Sequence, residues 1–254
     1  MTTELILLCI AAFAAGFIDA IAGGGGLIQT PSALILLPQY PVATVIGTIK
    51  IPAFTGTSFA AAQYAKHGSF NYRQLGFMMM IAFVAAFSGS KLLTMVSNHF
   101  MKPLLLVVLI AVGVYTWMNK NFGNHTKKNH SVKKQWGYAV LVSLVIGFYD
   151  GFIGPGAGSF LVLSFISLLG FDFLRASAYA KFVNLATNLG SVVFFAASGK
   201  IIYTIALPMA ICNGMGGWLG ARLALLKGNT FIRIFFLIVV TGTIIRFAYD
   251  VFFK

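Results

Sequence analysis

Charge is scarce in this chain. Only 9% of its 254 residues are Asp, Glu, Lys or Arg, and only five of them are acidic; soluble domains carry roughly 25%. With 59% apolar residues, a soluble protein of this length would not stay dispersed, which excludes an ordinary soluble enzyme or binding domain. Cysteine is nearly missing as well. Cys9 and Cys212 lie in apolar stretches, so they read as inert packing and exclude a disulfide framework. The four histidines, His67, His99, His125 and His130, sit in polar or boundary contexts without metal-ligand spacing. No metal and no cofactor are expected. Neither glycine-rich stretch ends in Gly-Lys-Ser/Thr, which argues against a P-loop and against ATP as the chain's own energy source. The alternating pattern of a membrane β-barrel is absent too.

Long apolar runs are what the sequence has instead. Residues 5–18, 77–90, 104–117, 139–148 and 235–245 carry no charge. With their flanks each approaches the roughly 20 residues that cross a hydrocarbon core as a helix. The first run has no basic flank and no small-residue cleavage site, so it reads as a retained helix rather than a signal peptide. The net charge of +13 gathers most densely at 120–134, between apolar helices. That is the ordinary orientation signal of a membrane protein and implies no nucleic acid. Contact with anionic lipid fits it equally well.

The chain also repeats itself. An offset of 131 residues aligns Gly16-Phe17-Ile18-Asp19 with Gly147-Phe148-Tyr149-Asp150. Without a gap it also pairs Gly23 with Gly154, Gly25 with Gly156, Lys50 with Lys181, Gly68 with Gly199 and Tyr72 with Tyr203. Matches between Leu-rich runs are cheap; matched Asp and Lys in so uncharged a chain are not. The expected fold is therefore all-α, a polytopic membrane helix bundle of two sequence-related halves, with eight long helices and two short Gly-broken ones. Residues 1–118 form the first repeat, 119–135 a basic cytoplasmic linker and 136–254 the second repeat. Helices are expected near 4–22, 26–38, 42–64, 74–95 and 101–118, and again near 136–152, 157–170, 174–198, 203–226 and 231–252. If the short segments span, the halves are inverted; if they are re-entrant, the halves run parallel. Charge bias favours inversion, with the N-terminus outside.

Lys50 and Lys181 each lie seven or eight residues inside an apolar helix, about 10–12 Å below the surface. A lysine there costs on the order of 3 kcal/mol unless its stem snorkels, so a matched pair points to a substrate pathway. Asp19 and Asp150 read either as coupling or gating carboxylates or as salt-bridge partners. Inversion puts Asp19 about 8 Å from the inner face, level with Lys181. The pairs expected are thus crosswise, Asp19 with Lys181 and Asp150 with Lys50. The breaks at Gly24, Gly25 and Gly26 and at Gly156, Ala157 and Gly158 each precede a short helix, whose N-terminus attracts anions; tight packing is the plainer reading. Lysines and helix N-termini together select a small anionic substrate. Thr48, Asn184 and Asn188 are expected to bind it, with Gln29, Thr55, Thr57 and Thr187 as further polar lining. Gly216 and Gly220 read as helix packing rather than chemistry.

These segments resemble the TauE/SafE family of sulfite-exporter-like membrane proteins, over nearly the whole chain. The likeness is closest at Gly147-Phe148-Tyr149-Asp150-Gly151-Phe152-Ile153-Gly154-Pro155-Gly156 and at Ala180-Lys181-Phe182-Val183-Asn184. Ala22-Gly23-Gly24-Gly25-Gly26-Leu27 and Thr48-Ile49-Lys50 look like the matching first-half segments, although Ile49 replaces a polar residue and Pro52 follows closely. The resemblance is strongest to the uncharacterised bacterial inner-membrane branch. It implies a multi-pass protein of that membrane that transports, and often exports, sulfite, organosulfonates or related anions. A secondary transporter with alternating access is expected, with a passive anion channel as the alternative. An enzyme would need a convergent nucleophile and base, which the sequence lacks, and a purely structural subunit would tolerate loss of both lysines. A homodimer is compatible with such a chain.

Overall fold

The structure, a computed structural model, describes residues 2–66, 70–101, 103–105, 107–108, 111, 132–171 and 173–227. Most of the expected helix at 101–118, most of the linker and all of the expected helix at 231–252 lie outside the described residues, as do His67, His125 and His130. Every regular element among the described residues is an α-helix. The first half supplies α1 (Thr2–Ala22), the short α2 (Gly26–Leu36), α3 (Val42–Ala65) and α4 (Tyr72–Met95). The second supplies α5 (Val132–Phe152), the short α6 (Ala157–Leu169), α7 (Phe173–Ala197) and α8 (Tyr203–Lys227). Local chemistry sets these ends. The Asn71 side chain caps α4 by accepting from Gln74 N at 3.2 Å. Gly170 and Gly199, with φ of 69° and 64°, end α6 and α7 in the left-handed region that favours glycine.

The bundle is apolar outside and polar within. Ile6, Ile10, Met80, Val84, Leu141, Val145, Ile211 and Met215 are exposed. Gln29, Lys50, Asp150, Lys181, Asn184, Asn188 and Asn213 are buried. Water would penalise so apolar a belt, whereas lipid does not. Three described helices are long and apolar enough to cross a bilayer: Thr3–Ala22, Tyr72–Met95 and Arg175–Ala197.

Glycine brings the long helices into near-backbone contact. A methyl on Gly216 would lie 2.1 Å from the Phe13 carbonyl oxygen, and one on Gly220 2.2 Å from that of Phe17. The packing role expected of these two glycines is therefore seen, and α1 and α8 run parallel. Gly147 and Gly151 abut Ala82 and Ala86 in the same order, so α4 and α5 run parallel as well. Between α3 and α7 the order reverses. Gly47 faces Phe195 and the Lys200 carbonyl, while Asn188 Nδ2 reaches Thr57 Oγ1 at 3.4 Å. Exchanging the halves preserves the principal helix neighbours: α1 on α8 becomes α5 on α4, and α3 on α8 becomes α7 on α4.

The two cysteines, both free, meet side chain to side chain across the α1–α8 contact. They line an apolar cleft with Leu5, Ile10 and Met215. Mild oxidation with copper phenanthroline is therefore expected to join them, seen as loss of maleimide-reactive thiol that dithiothreitol restores and Cys212→Ser prevents. Full maleimide labelling after oxidation would put the two helices further apart than this.

Candidate functional site

The site begins where the short helices start. Gly23, Gly154 and Gly156 have φ of 77°, 92° and 82°, a conformation an L side chain rarely adopts. The turn at Gly23 folds the chain back on itself. A methyl on Gly25 would lie 2.4 Å from the Ala15 carbonyl oxygen, so α2 begins beside the middle of α1 rather than at its end. The two breaks touch. Ser159 N donates to the Gly23 carbonyl at 3.0 Å and Ser159 Oγ to that of Ala22 at 2.8 Å. The N-termini of α2 and α6, each equivalent to about half a positive charge, thus converge inside the bundle.

Two ion pairs flank this junction, and both are crosswise as expected. Lys50 Nζ lies 3.0 Å from Asp150 Oδ1 and also donates to the Asp150 carbonyl at 2.8 Å. The other carboxylate oxygen, Oδ2, accepts from the Thr187 hydroxyl. Lys181 Nζ lies 2.9 Å from Asp19 Oδ2 and also donates to the Asp19 carbonyl. The four ionic charges cancel, so any residual positive potential comes from the helix N-termini. Each pair bridges the two halves.

A cavity of about 50 Å³ opens between the breaks, room for a few waters or a small ion and far below the size of a drug-sized ligand's pocket. Gly25, Gly26, Gly156, Ala157 and Gly158 line it, together with Lys50, Asn184, Asn188, Asp19 and Asp150. Asn188 Nδ2 donates to Asn184 Oδ1 at 3.3 Å, because residues four apart share a helix face. Gln29 and Thr57 line it as well. Several expected residues are not brought to its wall. Gly24 is not part of it, and the Lys181 side chain is 1% exposed behind Asp19. Thr55 donates to its own helix at Ile51, and Thr187 serves Asp150 from behind.

Thr48 stands away from the cavity for a clear reason. Its hydroxyl donates to the Thr44 carbonyl and accepts from Ile202 N at 3.1 Å, tethering the start of α8. The Tyr179 hydroxyl accepts from Asn71 N at 2.8 Å in the same way before α4, at the same 131-residue offset. Sequence reasoning missed Asn213, which lines the cavity and donates to Gln29 Oε1 at 3.2 Å. Gly16 and Gly56 make room for it: a methyl on Gly56 would lie 1.9 Å from Asn213 Oδ1. A lone Asn inside the apolar run Ile211-Cys212-Asn213 was the available signal. Among the described residues no cluster of His, Cys, Asp or Glu could hold a metal ion.

Comparison with known proteins agrees with this architecture. The family model described as "Sulfite exporter TauE/SafE" matches residues 8–247. A probable membrane transporter protein, ORF9, of Sinorhizobium sp is 35% identical over 97% of this chain and 93% of its own length. One from Haemophilus influenzae is 36% identical, covering 90% and 88%. The probable membrane transporter protein YfcA of Escherichia coli K12 is 32% identical, covering 98% and 92%. No solved structure matches. With the family model spanning almost the entire chain and three such relatives aligned nearly end to end, this protein belongs to the sulfite exporter TauE/SafE family of membrane transporters.

Proposed function

We propose that the chain is a secondary transporter of the bacterial inner membrane that exports a small anion such as sulfite or an organosulfonate, alternating access between two inverted repeats. The observation that carries this reading is the cavity, where a buried lysine and two converging helix N-termini meet inside a bundle with an apolar exterior. The antiparallel course of α3 and α7, together with neighbours that survive exchange of the halves, supports inverted repeats. The family's description and the names of its relatives support transport.

In this mechanism Asp150 is the gate. With the site empty its carboxylate holds the Lys50 ammonium. An arriving anion takes over that ammonium, and Asp150 either keeps Thr187 as its remaining side-chain partner or accepts a proton. Loosening this bond loosens the contact between the halves, because Lys50 and Asp150 belong to different halves. An inside-negative potential drives a monovalent anion outward with about 2.3 kcal/mol per 100 mV. A channel would instead need a continuous polar path and would conduct without coupling.

The test is purified protein melted against a panel of small anions, followed by flux in proteoliposomes. Sulfite or a sulfonate is expected to raise the melting temperature, since it binds the folded state alone, and to be carried across the membrane. Lys50→Met is expected to lose both responses. Stabilisation and flux that survive Lys50→Met would remove the lysine from the mechanism, and no response to any anion would overturn the reading itself.

A further inference from the structure

The two halves are related by offset, but their polar residues are not distributed equally. At 131 residues from Gln29 stands Phe160, from Asn213 stands Ala82, and from Asn184 stands Ala53. All three carboxamides line the cavity and their related positions are apolar; Asn188 also lines it, and its related position, Thr57, is polar. Phe160 packs edge-on against Tyr149, ring centroids 5.6 Å apart. The lysines differ likewise. Lys50 lines the cavity, whereas Lys181 does not.

Gln29 supplies a separate observation. The residue is 3% exposed and lines the cavity one turn into α2. Its Oε1 accepts from Asn213 Nδ2 at 3.2 Å, which leaves Nε2 to donate elsewhere. Nε2 is buried with no hydrogen-bond partner among the described residues. Leaving such a donor unsatisfied carries an uncompensated desolvation cost. A hydrophobic side chain of the same size would avoid that cost, as Phe160 does at the related position. A polar donor held by Asn213, lining the same cavity as an ammonium and one turn from a helix N-terminus, is what an oxygen-bearing anion needs.

We propose that the cavity contains one oxyanion site rather than two, with Lys50 Nζ and Gln29 Nε2 as its donors, and that the Lys181–Asp19 pair is a structural clasp. This rests on the reading of the cavity as an anion-transport site and deepens it. The ammonium supplies charge, which any anion satisfies. The Gln29 N–H supplies direction, which an acceptor oxygen satisfies better than a spherical halide. Selectivity for sulfite-like oxyanions over chloride is therefore assigned to Gln29.

The experiment is equilibrium binding of sulfite, and separately of chloride, to the full chain in lipid nanodiscs, with each variant's melting temperature recorded. Gln29→Leu is expected to weaken sulfite binding about tenfold or more, the worth of one hydrogen bond to an anion, and to leave chloride binding within about twofold. Phe160→Leu is expected to leave both unchanged. Should Gln29→Leu fail to fold, Gln29→Met takes its place with the same expectation. Sulfite binding that is normal in the Gln29 variant but lost in Lys50→Met leaves the anion cavity standing and overturns the assignment to Gln29. Equal losses in the Gln29 and Phe160 variants overturn the single site. If the unmodified protein binds neither sulfite nor chloride, both this assignment and the transport reading beneath it fall.

Discussion

Lys181→Met is expected to destabilise the protein by about 3–5 kcal/mol, the usual cost of removing one partner from a buried ion pair. Lys181 is 1% exposed and Asp19 18% at the side chain, so the stranded carboxylate has little water to turn to. The methionine fills the lysine stem's volume and isolates the electrostatic part. Adding Asp19→Asn removes the stranded charge, and the double variant is expected to regain most of the loss, because a well-packed neutral pair often equals a buried ionic one. Chemical unfolding in detergent measures both. A double variant no more stable than the single would mean that shape, not charge, holds α7 against α1 at this point.

Gly23→Ala is expected to be at least as damaging, by a different route. A methyl there would lie 2.3 Å from the Gly158 carbonyl carbon and 2.5 Å from Ser159 N, and Gly23 has φ of +77°. Neither neighbour is a movable side-chain end; both are backbone. The α2 and α6 N-termini would have to separate, breaking the Ser159 to Gly23 hydrogen bond. Loss of the folded peak in size-exclusion chromatography, or a melting temperature too low to record, is the expected result. Gly76 and Gly137 lie in helices with nothing within 4 Å of an added methyl, so alanine there is expected to gain about 0.5–1 kcal/mol each. If Gly23→Ala melts like Gly76→Ala, the two breaks do not touch in the working protein.

Much of this was written in the sequence because a membrane restricts the options. Apolar runs must be helices, and glycine or proline marks their ends, so the expected short helix at 26–38 is Gly26–Leu36 and that at 42–64 is Val42–Ala65. The crosswise pairing followed from depth together with the inverted arrangement, since two charges buried at one level seek each other. What stayed hidden depended on orientation about a helix axis. Thr48 and Lys50 are two residues apart, yet one faces the Ile202 backbone and the other the cavity. Lys181 matches Lys50 in depth but is sealed behind Asp19. Asn213 belongs to no motif, and its place becomes visible only once Gly16 and Gly56 are seen to make room for its side chain. Cys9 and Cys212, 203 positions apart, read as unrelated until α1 and α8 were found to run side by side.

Helix neighbours that survive exchange of the halves have an energetic consequence. If the two halves trade conformations, the principal helix contacts are replaced by counterparts of similar composition. Gly220 against Phe17 gives way to Gly89 against Phe148. In the alternating-access cycle proposed above, the states open to the two sides of the membrane would then lie close in energy before any ligand or voltage acts. Degeneracy of this kind lets a modest driving force reverse the populations. Its residual bias lies in the few positions where the halves disagree, among them Gln29 against Phe160 and Asn213 against Ala82.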